Sequence, residues 1–502
     1  MANPNDEAIN QQIKRTLRDS LIYVPANMIP AVVGILLIRV LTSVFTPEEY
    51  GHYQITLSTF GLIRVFSMIW LSTSVTRFYL NYKNLNQQKT FFSTLFMCTL
   101  VGTFLVAVLS WAINFFIFRQ KLDPELFSLI NIAIGASLFN AFFEIFVMVF
   151  RAGLEPRKYS FFWILFAVGK PILGLCLIFL IGLRVSGIFW GFFIIPLLLD
   201  IIIFRKLNLK AYIRIPSISS GLFKQFARYG LPLGLSMFSF WILSLSDRYL
   251  IGFFCGNAEV GFYSVGYFIS EKTLNFIYMI LMLAAYPIIV DNWEKHGIKQ
   301  TQILITELTR YFFLICVPVL TVLIVIPEDV LAIFSDKKYI DGARVLPLIA
   351  IGVFLNGLTQ YVMKGFELLK KSIYIAIIAL LAGLTNIILN LILIPRFGFF
   401  GAGVSACTAF GIYFILSVYF VRTKMSWIPP YRSIIRIFIA AGIISVYLAG
   451  LSSLIQNTFY TVILLIPSAM LIFFIMLLIL REITKYEVLR GWHLIQGIIR
   501  NT

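Results

Sequence analysis

The sequence predicts an all-α polytopic membrane protein of about fourteen transmembrane helices: two pseudo-symmetric six-helix bundles followed by two extra C-terminal helices, with N and C termini both cytoplasmic. Three observations predict it. Charged residues make up 13% of the 502-residue chain and apolar residues 60%, where a soluble domain carries about 25% charged residues. Apolar stretches of bilayer length, roughly 20 residues, recur from end to end. A sequence signature occurs twice, in the same orientation, as in transporters built from parallel repeats.

The spans follow in order. The first half places them at about 20–44, 50–78, 91–117, 126–150, 159–182 and 187–204, and the second at about 229–253, 262–290, 308–326, 345–363, 373–394 and 401–421. Two more lie near 434–453 and 460–480. Lipid offers a bare backbone no hydrogen-bond partner, so runs of this length must be helices. The first span follows a polar stretch of about 19 residues, exceeds a signal-peptide core and leads at once into another span, so it is expected to stay uncleaved. Spans 2 and 8 run to about 29 residues and must tilt or protrude. Pro25, Pro30 and Pro232 point to bent helices, and Gly187-x-x-x-Gly191 with the Gly398, Gly401, Gly403 cluster to close helix packing.

The repeat is carried by Arg39…Phe45…Glu49-Tyr50-Gly51-His52-Tyr53 and, about 209 residues later, Arg248…Phe254…Glu259-Val260-Gly261-Phe262-Tyr263. A second pair agrees: Val147-Met148 with Tyr159, and Val362-Met363 with Tyr374, eleven residues after each methionine. The expected organisation is a cytoplasmic segment 1–19, a six-helix bundle 20–204, a cytoplasmic linker 205–228, a second six-helix bundle 229–421, two additional transmembrane helices 422–481 set off by Pro429-Pro430, and a cytoplasmic tail 482–502. Trp492 and His493 in the tail suit a short interfacial helix.

The net charge of +18 could suggest a nucleic-acid partner, but the basic residues sit in alternate short connections. Lys and Arg in loops and tails number about 25 on the side holding both termini and about 7 on the other, the bias that sets membrane orientation. No nucleic acid is expected. The five cysteines have no paired or metal-like spacing, and no phosphate loop is present. His52, His296 and His493 are assigned to an outer connection, a cytoplasmic connection and the tail. No catalytic constellation, metal or cofactor is therefore expected, and the chain reads as a non-enzyme.

Chemistry is carried by ionisable residues inside the spans, each costing about 2.5–3.5 kcal/mol on insertion scales. Arg64 lies about fourteen residues, roughly 21 Å, from either end of span 2, too deep to reach a headgroup. Lys170 sits mid-span before Pro171, and Lys272 about ten residues inside span 8 beside Glu271. Arg64 and Lys272 fall at similar depths of equivalent helices, eleven and nine residues past the repeated tyrosines. Arg39 and Arg248 either snorkel to the outer interface or share an inward role. Against these five cations stand Glu144, Asp247 and Glu271. Neighbours on a helix diverge, so each acid is expected to pair with a cation on another helix, or to serve in ion coupling. The excess is positive, and unpaired buried charge is costly. An anionic ligand bound by Arg39, Arg64, Lys170, Arg248 and Lys272 would supply the missing charge.

Phe45-Thr46-Pro47-Glu48-Glu49-Tyr50-Gly51-His52-Tyr53 after the first span, Arg77-Phe78-Tyr79 closing the second, and Arg151-Ala152-Gly153-Leu154-Glu155 with Tyr159 between the fourth and fifth give the chain a family likeness. It resembles the polysaccharide flippases (O-antigen and exopolysaccharide repeat-unit flippases) of the multidrug, oligosaccharidyl-lipid and polysaccharide exporter superfamily, from about residue 20 to 480. The resemblance implies two bundles around a central cavity that alternates between inward-open and outward-open states. It implies a plasma or inner-membrane location and a polyprenyl-diphosphate-linked oligosaccharide moved from the cytoplasmic to the outer leaflet for cell-surface polysaccharide biosynthesis. The implied partners are that substrate, membrane lipids and other polysaccharide assembly proteins.

A basic, wet path suits a diphosphate headgroup, because arginine binds phosphate oxygens in bidentate fashion. At about 2.3 kcal/mol per charge per 100 mV, export of a doubly negative headgroup from an inside-negative cell runs downhill. Coupling to H+ or Na+ through Glu144, Asp247 or Glu271 is a further option. The alternatives are a peptidoglycan lipid-precursor flippase, a multidrug or metabolite exporter of the same superfamily and, from another class, an integral membrane polysaccharide polymerase or acyltransferase.

Overall fold

The computed structural model describes residues 4–452 and 460–483, with side chains from residue 22 onward apart from 372 and 462. Among the described residues the regular structure is entirely helical, and eleven continuous helices are long and apolar enough to cross a membrane. They are α1 (Pro4–Val44), α2 (Pro47–Asn84), α3 (Gln88–Phe118), α4 (Pro124–Ala152), α5 (Pro156–Ile181), α6 (Arg184–Lys206), α7 (Ser220–Cys255), the run Asn257–Val325, α10 (Leu346–Leu368), the run Ser372–Val421 and α13 (Tyr431–Ser452). The two long runs each contain one residue that no L side chain adopts comfortably: Gly297 at φ 72° and Gly398 at φ 60°. There the chain leaves the helix, giving α8 (257–296) and α9 (298–325), then α11 (372–397) and α12 (399–421). A shorter apolar helix, α14 (Ile463–Ile479), follows α13. Divided at the glycines, the helices follow the apolar stretches of the sequence one for one, a few residues longer at most ends. The chain is a multi-pass membrane protein.

The helix starts are written in the sequence. Thr46 Oγ1 accepts from Glu49 N at 3.3 Å and Glu49 Oε2 accepts from Thr46 N at 2.9 Å, a capping box with Pro47 in the first turn. The helix therefore begins early enough to take in His52, which is buried in α2 and does not lie in an outer connection.

Two compact units divide the chain, Met1–Gly261 and Phe262–Thr502. In the first, α1 packs on α5, α5 on α6, α6 on α4, α4 on α2, and α2 on α7. Its core is aromatic, with Phe143 and Phe166 stacked at 4.0 Å between centroids. The stretch expected as a linker is docked on the start of α3: Arg214 N donates to Ser93 Oγ at 2.9 Å and Ser219 N to Thr94 Oγ1 at 2.9 Å. Ser219 then caps α7, which starts inside that stretch. The two copies of the repeated signature meet within this unit. A Cβ on Gly51 would stand 1.8 Å from the Asn257 carbonyl oxygen, and one on Gly261 would stand 2.1 Å from that of Pro47. Each glycine admits the backbone of the other copy.

In the second unit α10 packs on the α11–α12 run and α13 on α14. The segment around Trp427 is held on α9: Gln302 Nε2 donates to the Ser426 carbonyl at 3.0 Å, Thr306 Oγ1 to Ile428 O at 2.9 Å and Trp427 Nε1 to Thr309 Oγ1 at 3.2 Å. Just past α14, the Glu482 carboxylate, 1% exposed, lies 2.6 Å from Arg310 Nε of α9 and 3.4 Å from Arg436 Nη1 of α13. Trp492 and His493 lie outside the described residues.

Candidate functional site: buried charges of the spanning helices

In the first unit α2, α4 and α5 bring together Arg64, Glu144 and Lys170. Arg64 Nε donates to both Glu144 carboxylate oxygens, at 2.9 and 2.8 Å. The Glu144 side chain is 9% exposed and that of Arg64 is 41% exposed. Among the described residues the guanidinium makes no other hydrogen bond or ion pair, so its Nη1–Nη2 edge is open. Immediately after Arg64 the helix widens into a π turn, Val65–Ile69, a local rephasing that often marks functional positions. Lys170 Nζ sits 3.5 Å from the centroid of Phe166 and 4.5 Å from that of Phe192, an arrangement that steadies a partly desolvated ammonium through the ring faces. It lies in electrostatic range of both Glu144 and Arg64. Its backbone is fixed by α6, since a Cβ on Gly191 would fall 2.3 Å from the Lys170 carbonyl oxygen. The Gly187-x-x-x-Gly191 spacing is thus a packing feature that positions a cation. The cluster holds two cations and one anion.

Rings extend this cluster along α5. Trp163 is stacked on Tyr159 at 5.7 Å and lies 5.8 Å from Phe166, while Arg151 lies over the Tyr159 and Tyr23 rings at 5.7 and 5.9 Å. Arg151, Tyr159, Trp163, Phe166 and Lys170 therefore form one continuous row.

Among the described residues, the other sequence-predicted residues make no hydrogen bond or ion pair with Arg64. Arg39 is exposed on α1. Asp247 and Arg248 are both buried, at 0% and 3% exposed, near the C-terminal end of α7, where Arg248 Nη1 donates to Ser244 O at 2.8 Å. Arg248 is in electrostatic range of Tyr50 and Tyr249, so it is packed among tyrosines and does not snorkel. In the second unit Lys272 Nζ lies 3.6 Å from Glu271 Oε2 and 4.8 Å from the Phe268 ring centroid, and Asn275 Nδ2 reaches Glu271 Oε1 at 3.4 Å. Glu271 thus pairs with its own neighbour, contrary to the expectation of a partner on another helix. Both side chains are long enough to fold back over the helix surface.

Sequence reasoning passed over three groups. Lys364, 4% exposed near the end of α10, pairs with Glu367 and lies 5.1 Å from the Tyr286 ring centroid. The apolar run ends at residue 363, so hydropathy placed it outside the span. Asp200 of α6 lines a cavity of about 290 Å³ with Phe139, Phe142 and Arg205. Its closeness to the basic end of the helix disguised it. Asn386 and Asn390 are fully buried in α11 and bonded to each other at 2.9 Å. Two amides four apart in an otherwise apolar span were the signal.

Comparison with known proteins gives a consistent result. A family model described as "Polysaccharide biosynthesis protein" matches residues 16–293, more than half of the chain. "Probable flippase AglR" of Haloferax volcanii is 24% identical over 324 residues, which are 62% of this chain and 65% of AglR, so just under two thirds of that relative is matched. Among solved structures, "Lipid II flippase MurJ, inward closed conformation" superposes with a TM-score of 0.73 at 15% identity, covering 93% of this chain and 99% of that one. An inward-facing multidrug resistance MATE family transporter of the MOP superfamily gives a TM-score of 0.63 at 14% identity, covering 80% and 98%. At these identities the structural likeness is one of fold.

Proposed function

The chain belongs to the polysaccharide biosynthesis protein family, and from that premise we propose that it is a flippase. In this reading it moves a polyprenyl-diphosphate-linked oligosaccharide from the cytoplasmic to the outer leaflet by alternating access, with both termini cytoplasmic. One observation carries the reading: Arg64, near the middle of α2, is anchored by Nε to Glu144 while its Nη1–Nη2 edge is open, beside a second cation, Lys170. An edge held this way is preorganised for two parallel hydrogen bonds to phosphate oxygens. Glu144 cancels one of the two positive charges, so the empty site is only mildly unfavourable and the loaded site gains an anion.

The surroundings suit the rest of such a substrate. On the face of α2 that carries Thr59, Leu62 and Phe66, a cavity of about 520 Å³, lined also by Leu109, Ile113 and Trp241, offers apolar surface, as a prenyl chain requires. Lys272 is a separate anion-binding cation of the second unit, held less firmly because its ion pair with Glu271 is long.

The test is Arg64→Gln in the native host, with expression checked, scoring surface polysaccharide and lipid-linked oligosaccharide at the inner membrane. The expected result is at least a tenfold loss of polymer with intact repeat units accumulating on the cytoplasmic leaflet. Normal polymer with a normally expressed variant overturns the assignment.

A further inference from the structure

We propose that His52, Asp123 and Glu125 form a binding site for one divalent transition-metal ion of the zinc class, on the first unit and apart from the charges assigned to transport. A nitrogen or oxygen ligand atom from each of the three residues lies within 4.8 Å of the others. His52 is 2% exposed, yet its Nδ1 has no hydrogen-bond partner among the described residues. It points toward Glu125, whose Oε2 is 3.4 Å away. A buried ring nitrogen left without a bond beside two carboxylates is the donor set that binds zinc-class ions, one imidazole and two oxygens, with water completing the shell.

The remaining geometry fits. Metal–ligand bonds of about 2.0–2.2 Å in a tetrahedral shell hold ligand atoms about 3.3–3.6 Å apart, so the widest pair must close by up to about 1.3 Å. Glu125, 45% exposed, and Asp123, also exposed, are free to do so. Asp123 uses Oδ1 to cap the helix at Glu125 N, 2.8 Å, and keeps its second oxygen for an ion. The other ring nitrogen, Nε2, lies 3.0 Å from the Asn257 side-chain amide. With Nδ1 on a metal, Nε2 carries the proton and donates to the amide oxygen, which a flip of the Asn257 amide presents. Such an outer partner fixes the tautomer and the ring orientation of a ligating histidine. An ion here would tie the start of α4 to His52, and through His52 to Asn257, where the two signature copies touch. The ligands come from segments about 71 residues apart in sequence, so no spacing rule finds them.

The experiment uses the full chain purified in detergent and stripped of metal, titrated with Zn2+ by calorimetry and with Co2+ by absorption, alongside His52→Gln and Glu125→Gln. Glu125 is exposed, so its variant keeps the fold if the His52 variant does not. Wild type should take up one equivalent at low micromolar affinity, with Co2+ bands of nitrogen and oxygen ligation and no thiolate charge transfer. Glu125→Gln and any folded His52→Gln should bind at least tenfold more weakly. Mg2+ and Ca2+ at millimolar concentration should not compete, because both prefer oxygen shells. No stoichiometric uptake by wild type, uptake unchanged in Glu125→Gln, or displacement by Mg2+ each overturns the site. These readouts are independent of transport, so they stand or fall separately from the flippase reading.

Discussion

Arg64 and Glu144 are unequal partners. The acid is 9% exposed and the arginine 41%, so removing either partner has a different consequence. Arg64→Gln leaves a nearly buried carboxylate without its cation, costing about 1–3 kcal/mol of stability, and removes the phosphate-binding edge. Glu144→Gln releases the arginine but leaves its charge in place. The double variant should regain most of the lost stability, read as the thermal midpoint in detergent, while polymer export stays as low as in Arg64→Gln. Recovery of export by the double variant would show that the pair serves the fold alone. At this scale the sequence was readable where a charge interrupts a long apolar run, as at Arg64, Glu144 and Lys170. It was not readable at Lys364, where the run stops one residue short. Nor could periodicity tell that Arg248 is enclosed by tyrosines, because burial there depends on α2 and α7 meeting.

The helix pair α5–α6 shows how an element places a charge. Gly169 and Gly191 both border Lys170, but a methyl group would meet different obstacles. At Gly191 it would strike backbone, the Lys170 carbonyl oxygen at 2.3 Å, whereas at Gly169 it would meet only a side chain, that of Ile195, at 3.3 Å. Gly191→Ala should therefore cost upward of about 2 kcal/mol and Gly169→Ala under about 1 kcal/mol. Thermal unfolding of the two variants decides it, and equal losses would contradict the packing argument. Element existence was legible because bilayer-length apolar runs are direct helix signals, whereas the starts set by Thr46-Pro47 and Asp123-Pro124 lie ahead of the apolar runs, where hydropathy does not reach. The breaks at Gly297 and Gly398 fall between apolar runs and agree with the expected spans. The π turn after Arg64 left no trace in the sequence, since it alters hydrogen-bond phase without requiring any particular residue.

On the scale of the molecule, two units carry distinct charge networks. The second unit is closed at one end by Glu482, which takes Arg310 and Arg436 together. The sequence set α13 and α14 apart at Pro429-Pro430, and hydropathy had no way to see that one carboxylate beyond α14 fastens the pair to α9. Glu482→Ala would leave Arg310, 13% exposed, without its main counter-charge. It should cost about 3 kcal/mol and make the connection around Trp427 the first place cut in limited proteolysis. A variant as stable and as resistant as wild type would assign the network no structural weight.

The reciprocal seating of Gly51 and Gly261 bears on how this chain can change over time. Outside the two copies of the signature and the Val-Met…Tyr pair, the two halves differ in most of their residues. Where each copy's backbone occupies the space a side chain would need in the other, neither glycine can enlarge unless its counterpart's surroundings yield in step. Descent of these two sites is therefore joined. Across a broad set of relatives they should remain small together or exchange bulk as a pair, even where the flanking helices differ throughout.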